Sequence, residues 1–181
     1  MIEFFTFISL FLTGIFFIEI WNLWVFRKRD YKQIPENNLP FISVLIPARN
    51  EERSIRQCVE SILKQDYPKF EVIVLNDNSE DKTLDILKEI ELNHSNLHVI
   101  NGKSLEEGWT GKNFACHQLY LQSKGEYILF SDADTVHFDN SLRYAVTRAI
   151  DRNADLYSLI PLMTLETFAE KCIMPGIHFT S

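Results

Sequence analysis

Two aspartates spaced i, i+2, Asp132 and Asp134, follow a short apolar run, and they are the residues in this chain most suited to chemistry. Two carboxylates beside a buried strand are costly to hold without a cation. Oxygen ligands of this kind suit Mg²⁺ or Mn²⁺, with coordination sites left over for phosphate and water. Lys112, just after Gly111, stands where a helix would begin. There a lysine can meet a phosphate as a point charge, beside the free N–H groups of the first turn. Asp77, in the polar stretch Asn76-Asp77-Asn78-Ser79, can accept hydrogen bonds from a base or a ribose. A fourth polar cluster, Pro47-Ala48-Arg49-Asn50-Glu51, ends another apolar run. Singly, each cluster also fits a solvated loop or a helix start. Together they describe a site for a metal-bound nucleotide diphosphate, provided that the fold brings them to one place.

Alternating elements would do so. Phe41–Ile46, Glu71–Leu75, Leu97–Ile100 and Glu126–Phe130 are short apolar runs bounded by polar or turn residues, and they read as buried strands. A fifth strand is expected over Leu156–Ile160. Between them, Glu51–Gln65, Asp81–Leu92, Lys112–Ser123 and Asp139–Arg152 carry apolar residues at helical spacing, the first with Asn50 as its N-cap. Continuous apolar strands imply a sheet covered on both faces, hence mostly parallel. The expected fold is α/β, a Rossmann-like sandwich with helices on both faces. In such sheets ligands bind beyond the carboxyl ends of the strands, and every polar cluster named above follows a strand or opens the next helix.

Ahead of this lies Phe4–Phe26, 26 − 4 + 1 = 23 positions with one charge, Glu19. As a helix it would extend roughly 34 Å, enough for a hydrocarbon core of about 30 Å. No Lys or Arg precedes the run and no small-residue cleavage site follows it, so it reads as a transmembrane helix rather than a signal peptide. Arg27, Lys28, Arg29 and Lys32 follow at once, which places the remainder on the cytoplasmic side of a single-pass membrane protein. Trp21 and Trp24 suit the headgroup belt, and Glu19 and Asn22 lie close enough to that boundary to reach water. Residues 27–39 form a basic and polar linker, and 40–181 the globular domain. A net charge of −7 argues against a nucleic-acid partner. Cys58, Cys116 and Cys172 lie too far apart in sequence for a zinc pair or a disulfide framework, which favours a reducing compartment.

Four segments, Ser43–Glu51 (SVLIPARNE), Val72–Thr83 (VIVLNDNSEDKT), Gly111–Ala115 (GKNFA) and Leu129–Thr135 (LFSDADT), resemble the family-2 glycosyltransferases with the GT-A fold. With the N-terminal anchor, the stretch Gly108–Lys112 (GWTGK) looks most like membrane-bound members acting on lipids, including the carotenoid- and hopanoid-associated groups. The resemblance implies that Pro47, Ala48 and Glu51 line the nucleoside pocket. It implies that Asp77 meets the uracil or ribose, and that Lys112 lies near the diphosphate. Asp132 and Asp134 would form the Asp-x-Asp motif, Asp134 being the more direct ligand of Mn²⁺ or Mg²⁺. The donor it implies is a nucleotide-diphosphate sugar, UDP-linked by family preference, and the acceptor a membrane lipid or lipid-like molecule. Two positions depart from the usual pattern: Asn76 replaces an acidic residue and Asn78 a glycine. The first removes one carboxylate. Family members also continue past this point with an acceptor half and a catalytic base. The resemblance therefore implies a donor half whose acceptor half is missing or supplied by a partner chain. No base is assigned to Glu166, Glu170 or His178.

Two other classes remain open at this level. Tyr127–Val136 (YILFSDADTV) fits the local signature of haloacid-dehalogenase-type phosphatases, with Asp132 as nucleophile and Asp134 as acid/base. A truncated non-catalytic membrane protein, or a partner subunit, is the other.

Overall fold

The computed structural model describes residues 2–27, 34–159 and 167, with side chains excluded at 2 and 22–27. The chain divides into two units, Met1–Ile34 and Pro35–Ser181. The first contains helix α1, Ile2–Arg27. Its segment Glu3–Trp21 has a mean hydropathy of 2.0, long and apolar enough to cross a membrane. Phe4, Phe5, Phe7, Leu10, Phe11 and Phe16 are all exposed within the unit. A helix that is apolar on every side needs an apolar surrounding. The side chains of Asn22, Trp24, Arg27, Lys28, Arg29 and Lys32 lie outside the described residues, as does Leu165–Phe179 apart from Thr167.

The second unit is built on four parallel strands, β1 (Ile42–Ala48), β2 (Phe70–Asn76), β3 (Leu97–Asn101) and β4 (Tyr127–Phe130), in the order β3-β2-β1-β4. Between them run α2 (Ile55–Leu63), α3 (Thr83–Glu91) and α4 (Gly111–Gln122), and α5 (Ser141–Asp151) follows β4. β1 and β2 are central and pair from Ile42↔Phe70 to Ala48↔Asn76. Val44, Leu45, Ile46, Val72, Val74 and Leu75 have no exposed surface, so both faces of the sheet are covered. That explains why these strands read as unbroken apolar runs.

The strand order decides which helix covers which face. From β1 the chain steps outward to β2 and β3, then returns across the sheet to β4 on the other side of β1. With right-handed crossovers the outward helices α2 and α3 share one face, and the returning helix α4 takes the opposite one. Ala115 and Leu119 of α4 accordingly pack with Leu45, Ile73 and Leu75, flanked by Ile100 and Ile128. α2 and α3 carry the complementary buried stripes Ile55, Cys58, Val59, Ile62 and Thr83, Leu87, Ile90.

Two elements differ from the sequence expectation. Residues 156–159 of the expected fifth strand are not a strand, Leu156 is 89% exposed, and Ile160 lies outside the described residues. A strand exists only with a ladder partner, and the outer edge of β4 is unpaired among the described residues. The second correction concerns Asn50. It does not cap the first helix of the unit, because α2 begins at Ile55. Instead Asn50 sits in left-handed backbone with φ 56°, a region asparagine tolerates better than most residues. Its side-chain oxygen accepts the Glu80 N–H at 2.8 Å, and its own N–H donates to the Ser79 hydroxyl at 3.1 Å. Alongside, the Glu51 N–H donates to Thr83 Oγ1 (2.8 Å) and the Glu52 N–H to Asp81 Oδ2 (3.0 Å), while Glu52 Oε2 accepts the Lys82 N–H at 3.2 Å. The loops after β1 and β2 are thus clasped reciprocally.

Candidate active site

β2 lies on one side of β1 and β4 on the other, so the chain reverses its direction of winding at the β1/β4 boundary. In open α/β sheets the crevice forms at such a point, beyond the carboxyl ends of the strands. A cleft of about 330 Å³ is found there. Pro47, Ala48, Glu51, Asp77, Lys112, Asp132 and Asp134 all line it. The structure therefore brings together, in one place, all seven residues singled out in the sequence.

Backbone ladders set the positions. The Asp77 N–H donates to the Ala48 carbonyl at 2.8 Å, and the Gly102 N–H to the Asn76 carbonyl at 2.9 Å. Pairing thus continues one residue past each strand and sets Asp77 beside Ala48. A Cβ added to Gly102 would stand 3.4 Å from Asp77 Oδ1 and 3.0 Å from Leu75 Cδ2. A glycine at 102 leaves room for the Asp77 carboxylate. On the cleft side, Arg49 Nη1 stands 3.9 Å from Asp77 Oδ2. Asn78 follows with φ 53°. This is the backbone conformation that glycine favours, and asparagine fills it here.

Asn76 does not line the cleft. It is 5% exposed; its amide donates to Asn101 Oδ1 (3.2 Å) and its side-chain oxygen accepts the Ser79 N–H (3.3 Å). The missing carboxylate at 76 is therefore replaced by a neutral tie between β2, β3 and the turn that carries Asp77.

Near Asp77, α4 begins at Gly111 with no side-chain cap from Thr110, and Gly111 and Lys112 of its first turn line the cleft. Lys112 Nζ pairs with Asp132 Oδ1 at 2.5 Å. This hydrogen bond, reinforced by the charge of Asp132, raises the Lys112 ammonium above its ordinary value. Lys112 is thus a fixed positive charge.

β4 passes into the acidic loop through the Ser131 N–H, which donates to the Leu45 carbonyl at 3.1 Å. Ala133 is buried, whereas Asp132 and Asp134 on either side of it are exposed. The i, i+2 spacing therefore presents both carboxylates on the open side of the loop. Beneath them lies Cys58 of α2, whose Sγ is 3.5 Å from the Asp132 carbonyl oxygen. Burial, with the nearby charge of Asp134, pushes the Cys58 thiol up to about 12, and burial also raises Cys116. Neither thiol is a nucleophile at neutral pH.

The donor set bears on which ion fits. Among the described residues no group of three or more His, Cys, Asp or Glu is placed to hold a metal by itself. A closed all-protein cage is thus absent from the described residues. Mg²⁺ and Mn²⁺ bound with a nucleotide need only one or two carboxylates, because phosphates and water complete the shell. Asp132 and Asp134 fit that requirement.

Sequence reasoning missed two neighbours of these residues. Arg49 lines the cleft and faces Asp77; its place within Pro47–Glu51 was the available signal. His137, behind the acidic loop, belongs to no motif and gave none.

Comparisons with known proteins give the family. Residues 43–164 match the model of glycosyl transferase family 2. The chain is 34% identical over 122 residues to the beta-monoglucosyldiacylglycerol synthase of Trichormus variabilis, an alignment covering 66% of this chain and 26% of that protein. Among solved structures, S. aureus TarS in complex with UDP-GlcNAc superposes with a TM-score of 0.53 at 28% identity, covering 70% of this chain and 37% of that one. A mannosyltransferase from Pyrobaculum calidifontis, in complex with GDP-Man and Mn²⁺, shares the fold at 24% identity with a TM-score of 0.54, covering 77% of this chain and 40% of that one. This chain thus spans about a quarter of the synthase's length. The family match runs from the second residue of β1 through α5 and takes in every cleft residue, the segment read locally as a phosphatase signature included, and on that breadth the chain belongs to glycosyl transferase family 2.

Proposed function

We propose that this chain binds the activated donor for a metal-dependent, inverting transfer of a sugar from a nucleotide diphosphate, a UDP-sugar in the first instance, to a lipid or other membrane-proximal acceptor. The observation that carries the reading is the convergence of Lys112, Asp132, Asp134 and Asp77 on one cleft at the β1/β4 switch point. The TarS complex contains UDP-GlcNAc and supports the donor class. The synthase's name carries diacylglycerol and supports a lipid acceptor.

Each side chain has a chemical task in this reading. Asp77 accepts hydrogen bonds from the base or ribose, with the Arg49 guanidinium 3.9 Å from its carboxylate. Pro47, Ala48 and Glu51 form the wall on the nucleoside side. Lys112 and the first-turn N–H groups of α4 meet the diphosphate. Asp132 and Asp134 hold a Mn²⁺ or Mg²⁺ whose contribution, when bound, is Lewis-acid neutralisation of the departing diphosphate. An acceptor hydroxyl attacking the anomeric carbon from the opposite side loses its proton to a general base. No residue of the cleft is assigned that role, and we place the base in the remainder of the full-length enzyme or in a partner chain.

α1 is long and apolar enough for a single-pass anchor, and the basic residues that follow it in sequence favour a cytoplasmic domain.

The test is calorimetric titration of the detergent-solubilised full chain with a UDP-sugar, with and without Mn²⁺. Binding that requires Mn²⁺ and is lost in Asp134→Ala is expected. Absence of binding, or binding indifferent to the metal and to Asp134→Ala, overturns the proposal.

A further inference from the structure

The loop that carries Asp132 and Asp134 is closed at its neck by a side chain with no part in the cleft. His137 Nε2 lies 2.8 Å from Ser131 Oγ, across the base of the loop. Ser131 is only 8% exposed, and its hydroxyl also lies 3.2 Å from the Asp132 carbonyl oxygen. On the other side of the ring, Nδ1 lies 3.4 Å from Ser141 Oγ, in the first turn of α5. With the Ser141 hydroxyl donating to Gln65, the ring fits as the Nδ1–H tautomer, donating to Ser141 and accepting from Ser131 at Nε2. Burial lowers the imidazole below its ordinary value. The ring is therefore neutral at pH 7 and offers one donor and one acceptor.

The closing residue is itself tied to α2 and the turn after it. The His137 N–H donates to Ser61 Oγ at 2.9 Å. Gln65, 7% exposed, donates from its amide to the Phe138 carbonyl at 2.7 Å, and its side-chain oxygen accepts the Leu142 N–H at 2.9 Å and the Ser141 hydroxyl at 3.1 Å. The Asp66 N–H adds a bond to the Asp139 carbonyl at 2.8 Å. The segment from 137 to 142 is thus fastened to α2 and the turn after it, whereas between Ser131 and His137 the loop presents two exposed carboxylates, of which Asp132 pairs with Lys112.

We propose that His137 is a positioning residue: by joining Ser131 to Ser141 on the Ser61–Gln65 platform, it holds the Asp132–Asp134 loop in the one arrangement in which both carboxylates face the same cation. The inference rests on the metal-and-diphosphate reading of the cleft. Groups that orient metal ligands without touching the metal commonly change metal affinity about 10- to 100-fold when removed.

Two measurements test it, both on the full chain. The first is hydrogen exchange without metal or nucleotide. His137→Ala is expected to speed exchange of the amides of 131–137 while those of β1 and β2 stay unchanged. The second is calorimetric titration with Mn²⁺ and UDP. The Mn²⁺ dependence of UDP binding is expected to shift about 10-fold to higher metal concentration in His137→Ala, and to recover at least in part in His137→Gln, whose amide reaches the position of Nε2 and can still meet Ser131. Ser131→Ala, which removes the hydroxyl link with little loss of volume, is expected to shift in the same direction and serves if His137→Ala does not fold. His98→Ala, at an exposed histidine on β3, is the control. Unchanged metal dependence in folded His137→Ala or Ser131→Ala, with unchanged exchange of the loop, overturns the proposal. A wild-type chain that binds UDP equally without metal overturns the reading of the cleft, and this inference with it.

Discussion

Lys112 separates binding from stability more sharply than any other residue of the cleft. Lys112→Met keeps the length of the apolar stem and removes the charge. In the folded protein the lysine pairs with Asp132, but the two side chains are 66% and 59% exposed. A pair so open to solvent contributes about 0–1 kcal/mol to stability. Against a phosphate the same ammonium forms a charge-assisted hydrogen bond worth about 1.5–3 kcal/mol, or about 10- to 100-fold in affinity. The variant is therefore expected to melt within a few degrees of the wild type and to bind UDP about 10- to 100-fold more weakly. Uridine, which has no phosphate, should bind both proteins alike. Freed from Lys112, Asp132 becomes a better cation ligand, so the affinity for Mn²⁺ alone should not fall. Melting curves and calorimetric titrations with UDP, uridine and Mn²⁺ read all four quantities. Equal loss for uridine and UDP, or a loss of stability of several kcal/mol, would refute the placement of Lys112 on the diphosphate.

Two further outcomes follow from the fold. A Cβ at Gly125 would stand 2.6 Å from the Tyr127 carbonyl oxygen and 2.9 Å from the Ile42 carbonyl carbon, and would also collide with the Ser43 nitrogen. All three are backbone atoms that cannot swing aside, so Gly125→Ala is expected to cost at least about 1–3 kcal/mol in chemical denaturation, and wild-type stability would contradict the β1/β4 packing. Burial holds His137 below its ordinary value, so the folded state binds fewer protons than the unfolded chain as pH falls. That contribution is fully present above about 6.5, the ordinary histidine value, and is lost as pH drops from there towards the depressed folded value. Melting temperature should therefore decline between pH 7 and pH 5, and the decline should be shallower in His137→Asn.

What could be read from the sequence was whatever periodicity encodes. β1 and β2 are buried on both faces, so their apolar runs were unbroken, and the helical stripes of α2, α3 and α5 followed from the same physics. The polar clusters could be placed at strand ends because parallel α/β sheets leave little choice. What escaped was decided by hydrogen bonds between segments far apart in sequence. Asn50 looked like a local cap, yet its partners are Ser79 and Glu80 in the neighbouring loop. Asn76 looked like a lost ligand, yet it ties β2 to β3 through Asn101. Residues 156–159 had the composition of a strand, but a strand is a pairing and their composition names no partner. His137 looked like any isolated histidine until Ser131 and Ser141 were found on either side of its ring.

The central claim, that one groove holds a nucleotide diphosphate through a bound cation, is tested most directly by crystallography of the full chain with UDP and Mn²⁺. The anomalous signal of manganese should appear as a single peak in contact with Asp134 and with the diphosphate, with Lys112 on the phosphates and Asp77 on the uridine. A manganese peak away from Asp134, or a uridine seated elsewhere on the molecule, would contradict the account.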